Sequence, residues 1–205
     1  MNVLMLNGSS NLSGCTYTAL TEVGKVLQQN QIQYEIFQLG VAPIRDCIGC
    51  NRCTEASCVF TDDKVNGFLA KARHADAFVF GTPVYFEHPS GRILSFLDRA
   101  FYAGGEAFAF KPGAAVASAR RAGTSAALDV MNKYFQGYRM VTVGSTYWNE
   151  VHGLSPEDVR ADKEGLQTMR NLGRNMAWIL RCIEAGKSAG INPPDMERAS
   201  LTNFI

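Results

Sequence analysis

Residues 75–99 read ADAFVFGTPVYFEHPSGRILSFLDR, and the fold turns on how this stretch is read. Ala77-Phe78-Val79-Phe80 is a short unbroken apolar run, the pattern of a strand covered on both faces. Gly81-Thr82-Pro83 predicts an abrupt end to it, because Thr82 precedes a proline and Pro83 has no N–H for a ladder. Val84, Tyr85 and Phe86 then place large side chains on a loop where no core accounts for them. After Pro89-Ser90-Gly91 the spacing predicts an amphipathic helix with Ile93, Phe96, Leu97 and Ala100 on one face. A strand that passes through an aromatic loop into a helix is where an open α/β sheet holds a flat ligand. An ordinary βα turn with exposed aromatics shares the local pattern, so the neighbouring segments decide between the two.

Toward the N-terminus, Val3 to Leu6 is a second apolar run, followed by Asn7-Gly8-Ser9-Ser10-Asn11-Leu12-Ser13-Gly14-Cys15-Thr16. Ala19, Leu20, Val23 and Leu27 then mark one face of a helix reaching about Asn30. Small hydroxyl and glycine residues between strand and helix let backbone N–H groups converge on an anion, and the helix N-terminus adds partial positive charge. Ser9, Ser13 and Thr16 can add hydroxyls. No lysine or arginine lies in this loop, so neutral donors would do the holding, which suits one monophosphate better than a triphosphate. A long capping loop is the plainer alternative. The P-loop lysine and the G-x-G-x-x-G fingerprint are both missing, which argues against a stably bound dinucleotide.

Downstream, Ile32 to Leu39 alternates as a strand, Gly113 to Ala119 forms a strand of small residues, and Met140 to Gly144 is the last. Helical patterns fall after Asp62-Asp63, around Leu128 to Phe135, and from Leu172 to Ile183; Cys182 in the last is assigned to core packing. Strands alternating with helices make a doubly wound α/β fold with a five-stranded parallel sheet and helices on both faces. Residues 1–187 read as one domain. The tail 188–205, with Pro193-Pro194, is expected to be extended, with a neighbouring subunit as a place for it to pack.

Composition narrows the function classes. With 46% hydrophobic and 19% charged residues the chain is globular. Twenty basic against 19 acidic side chains leave a formal charge of +1, which provides no electrostatic case for nucleic acid or an anionic membrane. No apolar run reaches the ~20 residues of a membrane span. The first strand begins at once without a basic leader, so a cytoplasmic protein is expected. In that compartment its six cysteines are expected to be reduced, ligating or catalytic. Four of them, Cys47, Cys50, Cys53 and Cys58, follow the spacing C-x2-C-x2-C-x4-C. That satisfies the ligand count of a 4Fe–4S cluster. Free or redox-active thiols remain open, and zinc more often uses two separated C-x2-C pairs.

Taken together, these residues resemble the NADPH-dependent FMN reductase-like branch of the flavodoxin superfamily, a group that includes the iron–sulfur flavoproteins. The resemblance rests on Gly8-Ser9 with Gly14 and Thr16, on Gly81 to Phe86 running to Phe96-Leu97-Asp98-Arg99, and on Ser118 to Gly123. Tyr147-Trp148-Asn149 and His152-Gly153 extend it. It implies a flavodoxin-like sheet in the order 2-1-3-4-5, tightly held FMN, NAD(P)H as transient reductant, and a homodimer or homotetramer. The implied reaction passes electrons by ping-pong hydride transfer to a small acceptor: a quinone, flavin, azo or nitro compound, or metal chelate. Carried across by position, Ser9, Ser10, Ser13, Cys15 and Thr16 would form the phosphate site. Pro83, Val84, Tyr85 and Phe86 would line the isoalloxazine, with Ser118, Ala119, Arg120, Arg121, Ala122 and Gly123 on its other edge. Tyr85, Phe86 and Arg120 are nominated for catalysis, Arg120 as the charge beside the reduced ring. Relatives often carry a basic residue at Asn11 and an asparagine at Cys15. The iron–sulfur flavoproteins carry a cysteine run where Cys47 to Cys58 stand. The rival readings are an electron-transfer iron–sulfur flavoprotein with a 4Fe–4S cluster beside FMN, and a non-enzymatic flavodoxin-type electron carrier without NAD(P)H activity.

Overall fold

The computed structural model describes residues 1–54, 56–197, 200 and 202. In chain order the strands are Asn2–Asn7 (β1), Gln33–Gln38 (β2), Ala77–Tyr85 (β3), His88–Pro89 (β4), Pro112–Ala119 (β5), Val141–Thr142 (β6) and Glu150–His152 (β7). The helices are Cys15–Gln29 (α1), Val65–Ala72 (α2), Gly91–Gly104 (α3), Thr124–Gly137 (α4), Pro156–Ala161 (α5) and Lys163–Ser188 (α6). The sheet runs β2-β1-β3-β5-β6, all parallel along this path.

Alternation within the apolar runs splits the core. Leu4, Leu6, Phe78 and Phe80 join α2, α3 and α4 in a phenylalanine-rich layer with Phe68, Phe96, Phe101 and Phe108. Val3, Met5, Ala77, Val79 and Val116 face α1 and α6 through Leu20, Val23, Met169 and Leu172. Every residue of β5 is buried, and its small side chains let helices approach from both faces.

The structure corrects three expectations. The fifth strand is not continuous: β6 covers only Val141–Thr142, and the chain returns as β7 to pair with the other end of β5. The order is therefore that of five strands only after the two-residue β4 and the late β7 are set aside. Gly144 and the exposed Thr146 to Trp148 loop out between the two halves. Second, β3 does not stop at Phe80. It runs through Gly81-Thr82-Pro83 to Tyr85, then doubles back as β4 with Val84 opposite Pro89 and Tyr85 opposite His88. Beyond Gly81 the neighbouring β1 has ended, so Pro83 faces no partner on that side and its missing N–H costs nothing there. Third, Cys182 is exposed. The buried stripe of α6 includes Met176, Ala177 and Leu180, and a residue two positions after Leu180 points away from it. The tail after Ser188 is exposed wherever it is described, while 198, 199, 201 and 203–205 lie outside the described residues.

Candidate functional site

β1, β3 and β5 end side by side, with Asn7 opposite Gly81 and Pro83 opposite Ser118. The loop after β1 is curled by its own side chains. Buried Asn7 donates through Nδ2 to Gln38 Oε1 at 2.7 Å and to the Asn11 carbonyl at 3.3 Å, and its Oδ1 accepts from Ser9 N at 3.1 Å. Ser9 Oγ accepts from Asn11 N, and Asn11 Oδ1 accepts from Ser13 N, each at 3.1 Å. These short-range bonds take the place of a regular element. Ser10 and Ser13 are exposed. α1 opens beneath it with Gly14 at the cap position, no side-chain cap and no acidic residue in its first turn. Its first amides and partial positive charge are thus left for another acceptor.

Two of the expected phosphate contacts are engaged elsewhere. Thr16, buried in the first turn of α1, shares a 2.8 Å hydroxyl–hydroxyl bond with buried Ser118 at the end of β5. Cys15 directs its sulfur to the Gly153 carbonyl at 3.6 Å. Burial pushes the Cys15 thiol up, and the carboxylates of Asp158 and Glu157 add to that.

The loops are locked at close approaches. Gly8 N donates to the Gly81 carbonyl at 2.8 Å, and a Cβ on Gly8 would lie 2.6 Å from Ile93 Cδ1. Ser90 donates through Oγ to the Gly8 carbonyl at 3.1 Å and caps α3 by accepting from Ile93 N at 3.4 Å. The β3–β4 hairpin turns at Phe86 and Glu87, both left-handed at φ 50° and 63°. Tyr85 is 53% exposed and Phe86 wholly exposed. Opposite stands Gly123, at φ 89°, where a Cβ would meet Glu87 Cα at 2.6 Å. The turn carrying Phe86 is therefore seated against the start of α4, which like α1 has no side-chain cap. Arg120, Arg121 and Ala122 are exposed beside it. Exposed Tyr147 and Trp148, with ring centroids 6.0 Å apart, stand on the loop between β6 and β7.

The four clustered cysteines form a second feature. Cys47, Cys50, Cys53 and Cys58 line one cavity of about 310 Å³, closed by Phe60, Asp98, Arg99 and Tyr102. All four are free thiols. The Cys53 thiol is pushed up by burial and then by the neighbouring Cys58, Cys50 and Cys47. The Cys50 thiol is lowered, first by the Arg52 backbone N–H. Among the described residues no group of three or more such side chains is gathered tightly enough to hold a metal ion as it stands. The donor chemistry and the shared cavity nevertheless suit a thiolate-ligated centre, whose positive charge would relieve the repulsion among these sulfurs.

A loop of hydroxyls and open amides beside exposed aromatic side chains, all at the carboxyl ends of a parallel sheet, is the setting in which such folds hold a phosphorylated flat cofactor. Residues 1–154 match the NADPH-dependent FMN reductase family. This chain is a member of that family. An iron–sulfur flavoprotein of Methanocaldococcus jannaschii is 31% identical over 193 residues, which is 90% of this chain and 100% of the relative. Among solved structures, a flavone reductase superposes with TM-score 0.69 at 17% identity, covering 90% of this chain and 64% of that one. An NAD(P)H:quinone oxidoreductase from Methanothermobacter marburgensis gives TM-score 0.61 at 16% identity, covering 86% and 98%. These two likenesses concern the fold. Family membership makes the chain a flavodoxin-like FMN-binding oxidoreductase. No helix among the described residues is long and apolar enough to cross a membrane.

Sequence reasoning missed two residues that organise these features. Asn7, which builds the first loop, was legible only as a polar residue closing an apolar strand. Arg99, 1% exposed, sits three residues after Phe96 on the stripe that helical spacing assigns to the core. A charged residue at such a position signals a buried partner, here Asp63.

Proposed function

We propose that the protein is an FMN-dependent NAD(P)H oxidoreductase that passes electrons to a small acceptor. The observation that carries this reading is the meeting of the uncapped α1 loop, the Tyr85–Phe86 turn and the Gly123 loop at one end of the sheet. The phosphate would be held by the hydroxyls of Ser10 and Ser13 and by the amides of the first turn of α1 at Cys15 and Thr16. Ser9 would add its own proton, which its bond from Asn11 leaves unused. The chemistry a bound flavin supplies is acceptance of hydride from a nicotinamide and return of those electrons to an acceptor.

The chain's own work is positional and electrostatic. Pro83 to Phe86 would support the ring system from the hairpin, with Ser118 to Gly123 along its other edge. Arg120, exposed and free to turn inward, would place positive charge where the reduced ring gains negative charge. Tyr85 and Phe86, both exposed, would leave one ring face open, which suits successive use of the same space by reductant and acceptor.

The test is reconstitution with excess FMN followed by desalting, then NAD(P)H oxidation at substoichiometric protein. Retained yellow colour, turnover and parallel initial-rate lines are expected. A colourless product would falsify the flavin reading. Intersecting lines would remove the shared face, and colour without turnover would leave a one-electron carrier.

A second reading concerns the cysteine cavity. Cys47, Cys50, Cys53 and Cys58 would ligate a 4Fe–4S cluster, supported by their common cavity and by the iron–sulfur flavoprotein relative. α3 links the two regions: its cap Ser90 touches the Gly8 loop, and Arg99 borders the cysteines. The nine steps from Ser90 to Arg99 rise about 13 Å along the helix. Iron and sulfide assays after anaerobic purification test this reading, with about four of each per chain expected.

A further inference from the structure

Arg99 is the most deeply buried charged side chain of the cysteine region, and its contacts go beyond what a core residue needs. Its Nε donates to Cys58 Sγ at 3.2 Å. Nη1 donates to the Arg45 carbonyl at 3.2 Å and pairs with Asp63, while Nη2 donates to the Phe60 carbonyl at 3.3 Å. The guanidinium carbon also lies 5.1 Å from the centre of the Phe60 ring. Asp63 is itself 4% exposed and is pinned by accepting from Val65 N at 3.1 Å, so the pair cannot turn to solvent. One end of the pair meets a sulfur, and the other is fixed at the start of α2.

We infer that Arg99 is a positioning residue that sets the redox behaviour of the cysteine centre, with Asp63 as the carboxylate that orients it and moderates its charge. The inference rests on the cluster reading of Cys47 to Cys58 and adds to it the group that tunes the centre. Reducing such a centre by one electron turns one ferric ion ferrous and adds one negative charge to the site. An N–H···S bond from a buried cation stabilises that added charge, and hydrogen bonds to sulfur together with net charge are established determinants of cluster potential. Of the other charged groups, Arg52 reaches Cys50 from within the loop itself, by backbone and side chain, but from an exposed position and, among the described residues, without a buried carboxylate partner. Arg45 is exposed and paired with Asp62. Asp98, at the cavity wall, accepts from the Tyr134 hydroxyl at 2.5 Å.

A plain loop anchor would make many of the same bonds, so the test needs a readout that anchoring does not move. Wild type, Arg99→Gln, Arg99→Lys and Asp63→Asn are loaded anaerobically with iron and sulfide and titrated with dithionite while the cluster signal is followed. Retention of FMN serves as the check on folding. Arg99→Gln is expected to shift the reduced-to-oxidised ratio at least tenfold toward the oxidised form, which is 59 mV more negative for a one-electron couple. Asp63→Asn is expected to shift it the opposite way, because it leaves the guanidinium charge uncompensated. Arg99→Lys, which keeps the charge without the fixed Nε donor, is expected to fall between wild type and Arg99→Gln. Wild-type potentials in both Arg99→Gln and Asp63→Asn, or shifts of the same sign in both, overturn the inference while leaving the cluster in place. If Arg99→Gln loses its FMN, the sign of the Asp63→Asn shift decides. A wild-type chain that takes up no iron overturns the cluster reading and this inference with it.

Discussion

Phe86 and Glu87 occupy a two-residue hairpin turn with left-handed backbone at both positions. Such turns favour Asn-Gly, and an L-residue with a Cβ costs roughly 1–2 kcal/mol in that conformation. Their neighbours hold them there: Gly123 leaves just enough room for Glu87, and Pro89 pairs back onto Val84. The sequence shows little local preference for the turn, so the strain is carried by the surrounding loops. Glu87→Gly is expected to raise the stability of the apoprotein by about 1 kcal/mol, read as a higher urea midpoint with an unchanged slope. A lower midpoint would mean that the Glu87 side chain makes contacts that outweigh the backbone strain. At the first loop, Ser9→Ala is expected to weaken FMN binding by roughly 1–3 kcal/mol, since it removes both the acceptor for Asn11 N and a hydroxyl donor. Equal affinity of the two apoproteins in a fluorescence titration would take Ser9 out of the site.

Among the elements, α3 is the one that ties the most together. Its Ser90 cap reaches the Gly8 loop, and Arg92, Ser95 and Arg99 along its length hold Val41, Ala42, Asp46 and Cys58 of the long loop after β2. α1 is anchored differently, through Glu22, which accepts from Arg170 of α6 at 2.9 Å and from Lys25 at 3.2 Å. Burial alone would raise the Glu22 carboxyl, but these two cations outweigh it and hold it below the usual carboxylate range. A carboxyl depressed in the folded state contributes stability above its unfolded value, near 4.3, and loses it as the pH falls through the folded value. Glu22→Gln is accordingly expected to destabilise the protein at neutral pH, by no more than about 1 kcal/mol because Lys25 and Arg170 are partly exposed. The difference from wild type should close as the pH drops below 4.3. A gap that persisted at pH 3 in denaturant titrations would assign the effect to packing between α1 and α6 instead.

On the scale of the whole molecule, the end of the sheet proposed to hold FMN is assembled from three loops far apart in sequence, so binding there would be coupled to folding. FMN at a hundredfold excess over its dissociation constant should stabilise the fold by about 2.7 kcal/mol, and thermal unfolding should move up with FMN concentration. A midpoint that did not respond to FMN would show that these loops do not close on it.

Much of this architecture was written in short-range patterns. The apolar runs of β1, β3 and β5 and the helical stripes of α1 and α3 depend on residues within a turn or two of one another, so the doubly wound sheet and the gathering of loops at its carboxyl end followed from them. The hydroxyl-rich loop after Asn7 was legible for the same reason: its composition is its structure. Tertiary pairing decided what local pattern could not. Pro83 stays in a strand because β1 has already ended beside it, the fifth strand divides because β5 offers both its ends to one returning chain, and Thr16 turns to Ser118 because α1 packs against β5. Arg99 is buried for a like reason, since its partners Asp63, Cys58 and Phe60 lie 36 to 41 positions away and meet it only once the loop has folded over α3. Periodicity reports which face of an element is apolar; which polar group waits on that face is settled by the neighbours that folding brings.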